Sequence, residues 1–109
     1  MTTPEPTGDE LVRVLATLAN PHRLRIVAVL TGERIHVSRL ARELGISRAL
    51  VQIHLRKLEA AGLVSAQLEL SDDGKAMKFY EVTPFAYYLT PVTIASAAPT
   101  LSTPSREDH

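Results

Sequence analysis

The sequence contains no cysteine, its 12 basic and 12 acidic residues cancel, and no long apolar run interrupts its 109 residues. Without cysteine there can be no disulfide framework, no iron–sulfur cluster and no thiolate metal site. That lack is compatible with a reducing cytoplasm, where the chain is expected to work. No stretch approaches the roughly 20 apolar residues of a membrane span, so no membrane association is expected. Met1–Glu10 has neither a basic start nor an apolar run and does not read as a signal peptide. Enzymatic signatures are missing too. There is no glycine-rich phosphate loop, no Ser/His/Asp arrangement and no convincing pair of carboxylates, so the chain is not expected to be an enzyme.

Zero net charge argues at first against a nucleic-acid partner. The distribution matters more than the sum. From Asn20 to Val82 there are ten basic residues against seven acidic ones, a surplus of three that the acidic ends offset. Hydrophobic residues make up 45%, enough for one small core. A loose arm over 1–8, one folded domain over 9–97 and a disordered tail rich in Pro, Ser and Thr over 98–109 are expected.

Within that domain the periodicity predicts four helices. The first covers about Asp9–Ala19, with Leu11, Leu15 and Leu18 on one stripe. Asn20-Pro21 then supplies an N-cap and a first helical residue that loses no hydrogen bond. The second helix, about Pro21–Thr31, is expected to bury Leu24, Val27 and Leu30. The third covers about Val37–Leu44 and turns Leu40, Ala41 and Leu44 inward. Gly45 stands where a left-handed residue is usually needed. Ser47 caps a fourth helix from Arg48 to about Ala61. The period then becomes strand-like over Leu63–Leu70 and Met77–Thr83, joined by the turn Ser71-Asp72-Asp73-Gly74-Lys75. Pro91 interrupts Phe85–Ala97, so a short or broken last helix is expected. The fold class is mainly α with a small β-hairpin, in the order α-α-α-α-β-β, which is a winged helix-turn-helix.

In a helix-turn-helix the second helix of the motif enters the major groove. If Val51, Leu55 and Leu58 face inward, the free set in the first turns is Arg48, Ala49, Gln52, Ile53 and Arg56, preceded by Ser47. Arg can bond guanine, Gln adenine, and Ala and Ile can meet the thymine methyl. No carboxylate joins that face before Glu59. A solvated helix face would carry the same Arg and Gln, but gains nothing from Ile53. Lys75 and Lys78 lie near the hairpin tip, where cations can meet phosphate. They can equally be ordinary turn charges, and Asp72 and Asp73 share that tip.

The run Leu15–Val27 (LATLANPHRLRIV) resembles the opening of the arsenical-repressor (ArsR/SmtB) regulators. Leu40–Ser47 (LARELGIS) is similar to their helix-turn-helix entry, Val51–Val64 (VQIHLRKLEAAGLV) to their recognition helix and Lys78–Val82 (KFYEV) to the returning wing strand. The resemblance implies a sequence-specific transcriptional regulator, a repressor acting as a homodimer on a palindromic double-stranded DNA operator. It implies dimerisation through the first and last helices, here Leu11, Leu15, Leu18, Tyr88 and Leu89. The apolar residues after Pro84 could equally close the monomer core. Many relatives bind metal through a Cys on the third helix. His36 stands about there, and its imidazole would suit nickel or zinc as an effector rather than a required cofactor. His22, His54 and His109 are not spaced as ligand pairs. The competing reading is a winged-helix protein-interaction module without DNA binding, favoured by zero net charge and the apolar Ile53.

Overall fold

The computed structural model describes residues 5–102. Its elements are α1 (Gly8–Leu18), α2 (Pro21–Leu30), β1 (Ile35–His36), α3 (Val37–Leu44), α4 (Arg48–Ala60), β2 (Val64–Leu70), β3 (Ala76–Val82), α5 (Pro91–Ala97) and a 3-10 turn (Ala98–Thr100). They divide into two compact units. Thr17–Phe85 is one, and the described residues 5–16 and 86–102 form the other. Among the described residues no helix is long and apolar enough to cross a membrane.

The unit Thr17–Phe85 is built on local signals that agree with one another. Asn20 caps α2, its Oδ1 accepting from the His22 and Arg23 amides, with Pro21 in the first turn. Ser47 caps α4 by accepting from the Leu50 amide at 3.1 Å. Between α3 and α4, Gly45 takes φ +69° and its N–H closes on the Ala41 carbonyl at 2.9 Å. A side chain there would sit in a strained left-handed backbone, so glycine is what lets the two helices meet sharply. The core is formed by Ile26 and Leu30 of α2, Ile35 of β1, Leu40 of α3, Val51, Leu55 and Leu58 of α4, and Leu63 and Val64 at the wing's root, all nearly inaccessible.

Two sequence expectations are corrected in this unit, and one strand is added. Leu24 points outward at 55% exposure, and Ile26 takes the inward place. Two residues apart is about 200° around a helix, so both cannot face the core. Leu44 is only half-buried. The expected hairpin is present, and β1 adds a third strand to it: β1 pairs antiparallel with β3, Ile35 opposite Tyr80 and His36 opposite Phe79, giving the strand order β1-β3-β2. The wing runs in register from Val64 opposite Val82 to Leu70 opposite Ala76.

In the second unit, Pro91 starts α5 instead of breaking it. Thr90 accepts from the Thr93 amide at 3.1 Å while the Thr93 hydroxyl accepts from the Thr90 amide at 2.9 Å, a reciprocal capping box. The segment expected to be a disordered tail from Ala98 is ordered as far as Ser102. The Gly8 amide donates to Thr100 Oγ1 at 2.7 Å, and the Ser102 amide to Asp9 Oδ1 at 3.2 Å. A Cβ on Gly8 would lie 2.7 Å from the Ala97 carbonyl oxygen and from Leu101, so only glycine fits there. The rest of the expected tail, 103–109, and residues 1–4 of the expected arm lie outside the described residues.

Candidate nucleic-acid interface

Helix α4 presents its sides as its period demands. Val51, Leu55 and Leu58 are buried, which leaves Arg48, Ala49, Gln52, Ile53 and Arg56 exposed, Ile53 at 45%. Arg48, Gln52 and Arg56 line one side of a cleft of about 370 Å³. Across it stand Met77 and Lys78 of β3, and His36 and Ser38 close the α3 side. Lys78 holds its ammonium 5.6 Å from the Tyr80 ring centroid, a cation–π contact that aims the chain along the wing. The structure therefore brings Arg48, Gln52, Arg56 and Lys78 together. Ser47 serves as the cap at the helix entrance. Ala49, Ile53 and the tip residue Lys75 are exposed but line no part of this cleft.

The charges explain how a neutral chain makes a basic cleft. Arg39 pairs with Glu33 and with Glu43, both at 2.7 Å, and the two carboxylates, Glu33 foremost, push the guanidinium above its ordinary pKa. Arg34 pairs with Glu69 and lies 5.8 Å from the Phe79 ring centroid. These exposed pairs add little stability, because solvent screens them. They hold three carboxylates against two guanidiniums outside the cleft, whose lining residues include no acid. Arg48 and Arg56 have no ion pair among the described residues. At the wing tip Asp73 is turned inward, bonded by the Ser71 hydroxyl and then the Lys75 amide, which hold its carboxyl below the usual range. One of the two tip acids is thus a part of the turn.

His36 has a structural employment that its position in sequence did not reveal. Its Nδ1 accepts from the Arg39 amide at 3.3 Å, capping α3, and its ring meets Phe79 edge-on at 5.8 Å. No group of three or more His, Cys, Asp or Glu side chains gathers among the described residues. His109 lies outside them. Of the residues expected at a dimer interface, Leu11 is buried, Leu18 is half-buried, and Leu15, Tyr88 and Leu89 are exposed. Sequence reasoning missed Ser38 and Met77 in the cleft. Met77 is adjacent to Lys78 on the wing, and Ser38 lies in the first turn of α3, but neither type marks a groove contact by itself.

A family model described as a helix-turn-helix domain matches residues 18–65. An HTH-type transcriptional regulator of Methanocaldococcus jannaschii is 36% identical over 80 residues, covering 73% of this chain and 83% of that protein. A solved winged helix-turn-helix DNA-binding domain from Mycobacterium bovis, described as homodimeric and as "a possible ArsR-family transcriptional regulator", superposes with a TM-score of 0.61 at 28% identity. The chain belongs to the ArsR family of winged helix-turn-helix transcriptional regulators. The M. bovis match covers 68% of this ArsR-family chain and 64% of that one. NolR from Sinorhizobium fredii shares the fold over 91% of this chain and 92% of its own, with a TM-score of 0.60 at 24% identity. The family regulates transcription by binding DNA through the helix-turn-helix and is not an enzyme family. That places α4 as the recognition helix and the β2–β3 hairpin as the wing.

Proposed function

We propose that this ArsR-family regulator binds a specific palindromic operator as a homodimer, reads it with Arg48, Gln52 and Arg56, and represses the adjoining promoter. The observation that carries the reading is the cleft in which those three side chains and Lys78 converge with no carboxylate among its lining residues. Bidentate Arg–guanine and Gln–adenine pairs need unpaired, outward side chains in the first turns of the recognition helix, which is where these lie. Dimerisation is supported by the apolar surface of the second unit, where Leu15, Tyr88, Leu89, Val92 and Ile94 are exposed, and by the homodimeric M. bovis relative. Two copies related by a two-fold axis would match half-sites one helical turn apart.

The test is selection of bound duplexes from a random pool, followed by titration of the enriched sequence against random DNA. Enrichment of an inverted repeat is expected. Arg56→Ala should cost about 1–3 kcal/mol on that duplex and relax the preference at one base position. Binding should also weaken steeply with salt. No enrichment, or affinity insensitive to both salt and Arg56→Ala, overturns the reading in favour of a protein-contact role for the face around Ile53. The effector proposal, nickel or zinc, is tested by titrating either ion while duplex affinity is followed. His36 keeps Nε2 for a metal while Nδ1 caps α3, so further ligands would have to come from residues 103–109 or from a second copy. Unchanged affinity with both ions removes the metal from the proposal.

A further inference from the structure

Behind the reading face, α4 carries a residue that reading does not use. His54 lies about 200° around the helix from both Gln52 and Arg56, and is only 6% exposed. Its Nδ1 accepts from Arg23 Nε at 3.1 Å. The same guanidinium donates from Nη1 to the Thr17 carbonyl at 3.1 Å, at the end of α1 where carbonyls lack helical partners. Arg23 of α2 therefore ties the end of α1 to the recognition helix through one planar group with fixed donor directions.

We propose that Arg23 and His54 are a proton-gated positioning pair: neutral His54 lets Arg23 hold the recognition helix in its DNA-reading pose, and protonation of His54 releases it. This rests on the assignment of Arg48, Gln52 and Arg56 as the reading residues. The acceptor role requires the tautomer with its hydrogen on Nε2. A proton added at Nδ1 replaces the acceptor by a donor, so two N–H groups and two positive charges face each other. Nothing nearby can absorb that charge. The titratable and charged groups acting on His54 are Arg23 and His22 from α2 and Lys57 from its own helix, all basic. The His22 and His54 rings lie 5.4 Å apart, and His22 Nδ1 is itself buried without a hydrogen-bond partner. No group of α3 or β2, the other elements packed on α4, acts on His54. Burial first, then these charges, lower its pKa below the ordinary histidine value. The pair is thus closed at neutral pH and opens at a lower pH than that at which a free histidine titrates. The effect on stability has the same sign. The folded-state value lies below the unfolded one, so this contribution is complete above the ordinary histidine range and is lost as pH falls through it.

The sign is the discriminating feature, because added protons ordinarily strengthen binding to a polyanion. The experiment measures the ratio of affinities for the enriched duplex and for random DNA from about pH 8 to about pH 5 at constant salt. In the wild type the ratio should fall roughly tenfold, the loss of one hydrogen bond to a charged group. His54→Gln keeps a neutral acceptor for Arg23 and should hold the ratio level within about twofold. Arg23→Gln should start about tenfold low and lose no more on acidification. A wild-type ratio that stays level or rises, or a His54→Gln ratio that falls in parallel, overturns the proposal. A second readout needs neither variant to fold nor any DNA. Nitrogen-15 spectra of the wild-type imidazoles should show His54 as the Nε2–H tautomer at about pH 8, with an unprotonated Nδ1, and a Nδ1–H tautomer overturns the proposal. Failure to enrich any duplex would count against the reading assignment, while the tautomer measurement would still decide the pair.

Discussion

The two units of this chain differ in whether they hold a set of fully buried large apolar side chains. In Thr17–Phe85 nine large side chains, from Ile26 to Val64, are almost inaccessible. The unit of 5–16 and 86–102 contributes none to that set, and leaves Val12, Leu15, Tyr87, Tyr88, Leu89, Val92, Ile94 and Leu101 exposed. A sealed core fixes the relative placement of α3, α4 and the wing, which a groove-reading device requires to within a fraction of an ångström. An apolar surface of the second kind is what a protomer shows before its partner covers it. The first unit is therefore organised to hold side chains still, while the second leaves apolar surface that the proposed dimer would cover.

The strongest attempt to break that contrast is a pair of truncations. Leu55→Ala should destabilise the protein by about 2–5 kcal/mol in denaturant titration, through the cavity left in the core. Tyr88→Ala removes a larger side chain that is 82% exposed, and in the dissociated chain should change stability by less than about 0.5 kcal/mol. Equal costs would erase the distinction. The next test charges the open surface. Leu89→Asp with Ile94→Asp should shift the sedimentation coefficient to that of one protomer and weaken binding to the enriched duplex by about a hundredfold or more, since two linked half-site contacts become one. Circular dichroism should report an intact helical unit. A smaller change tests the local signals. Ser47→Ala removes the cap of α4 and should cost about 1 kcal/mol of unfolding free energy. The least effect is expected at the wing, where Lys78→Met should lower the slope of log affinity against log salt by about 0.9, the share of one phosphate contact.

Legibility in the sequence follows the same division. The helix-turn-helix could be read because Gly45, Ser47 and the spacing of Val51, Leu55 and Leu58 are local signals that all point one way. The outward set on α4 followed from that geometry. Leu24 misled because α2 carries apolar residues on several sides, and periodicity cannot choose between them until α4 is in place. The two residues of β1 are too few to show a period, and pairing with Tyr80 and Phe79 is a long-range event. Pro91 can end or begin a helix. The deciding pair, Thr90 and Thr93, was present in the sequence, although a hydroxyl at the fourth position of the box is a weaker signal than Glu. His54 was visible as a residue but not as a partner, because the guanidinium that gives it a role is 31 positions away. The cap formed by His36 was hidden because Ser, Thr, Asp and Asn are the usual types there.

The hydrogen bond from the Gly8 amide to Thr100 spans 92 positions, and it bears on how the protein is made. Ribosomal synthesis delivers the chain from its amino end, and compact units fold as they emerge. Thr17–Phe85 clears the ribosome ahead of the stretch that fastens Thr100 and Ser102 onto Gly8 and Asp9, so its core can organise before that strap closes. The nascent regulator thus completes its helix-turn-helix first and the closure of its second unit last.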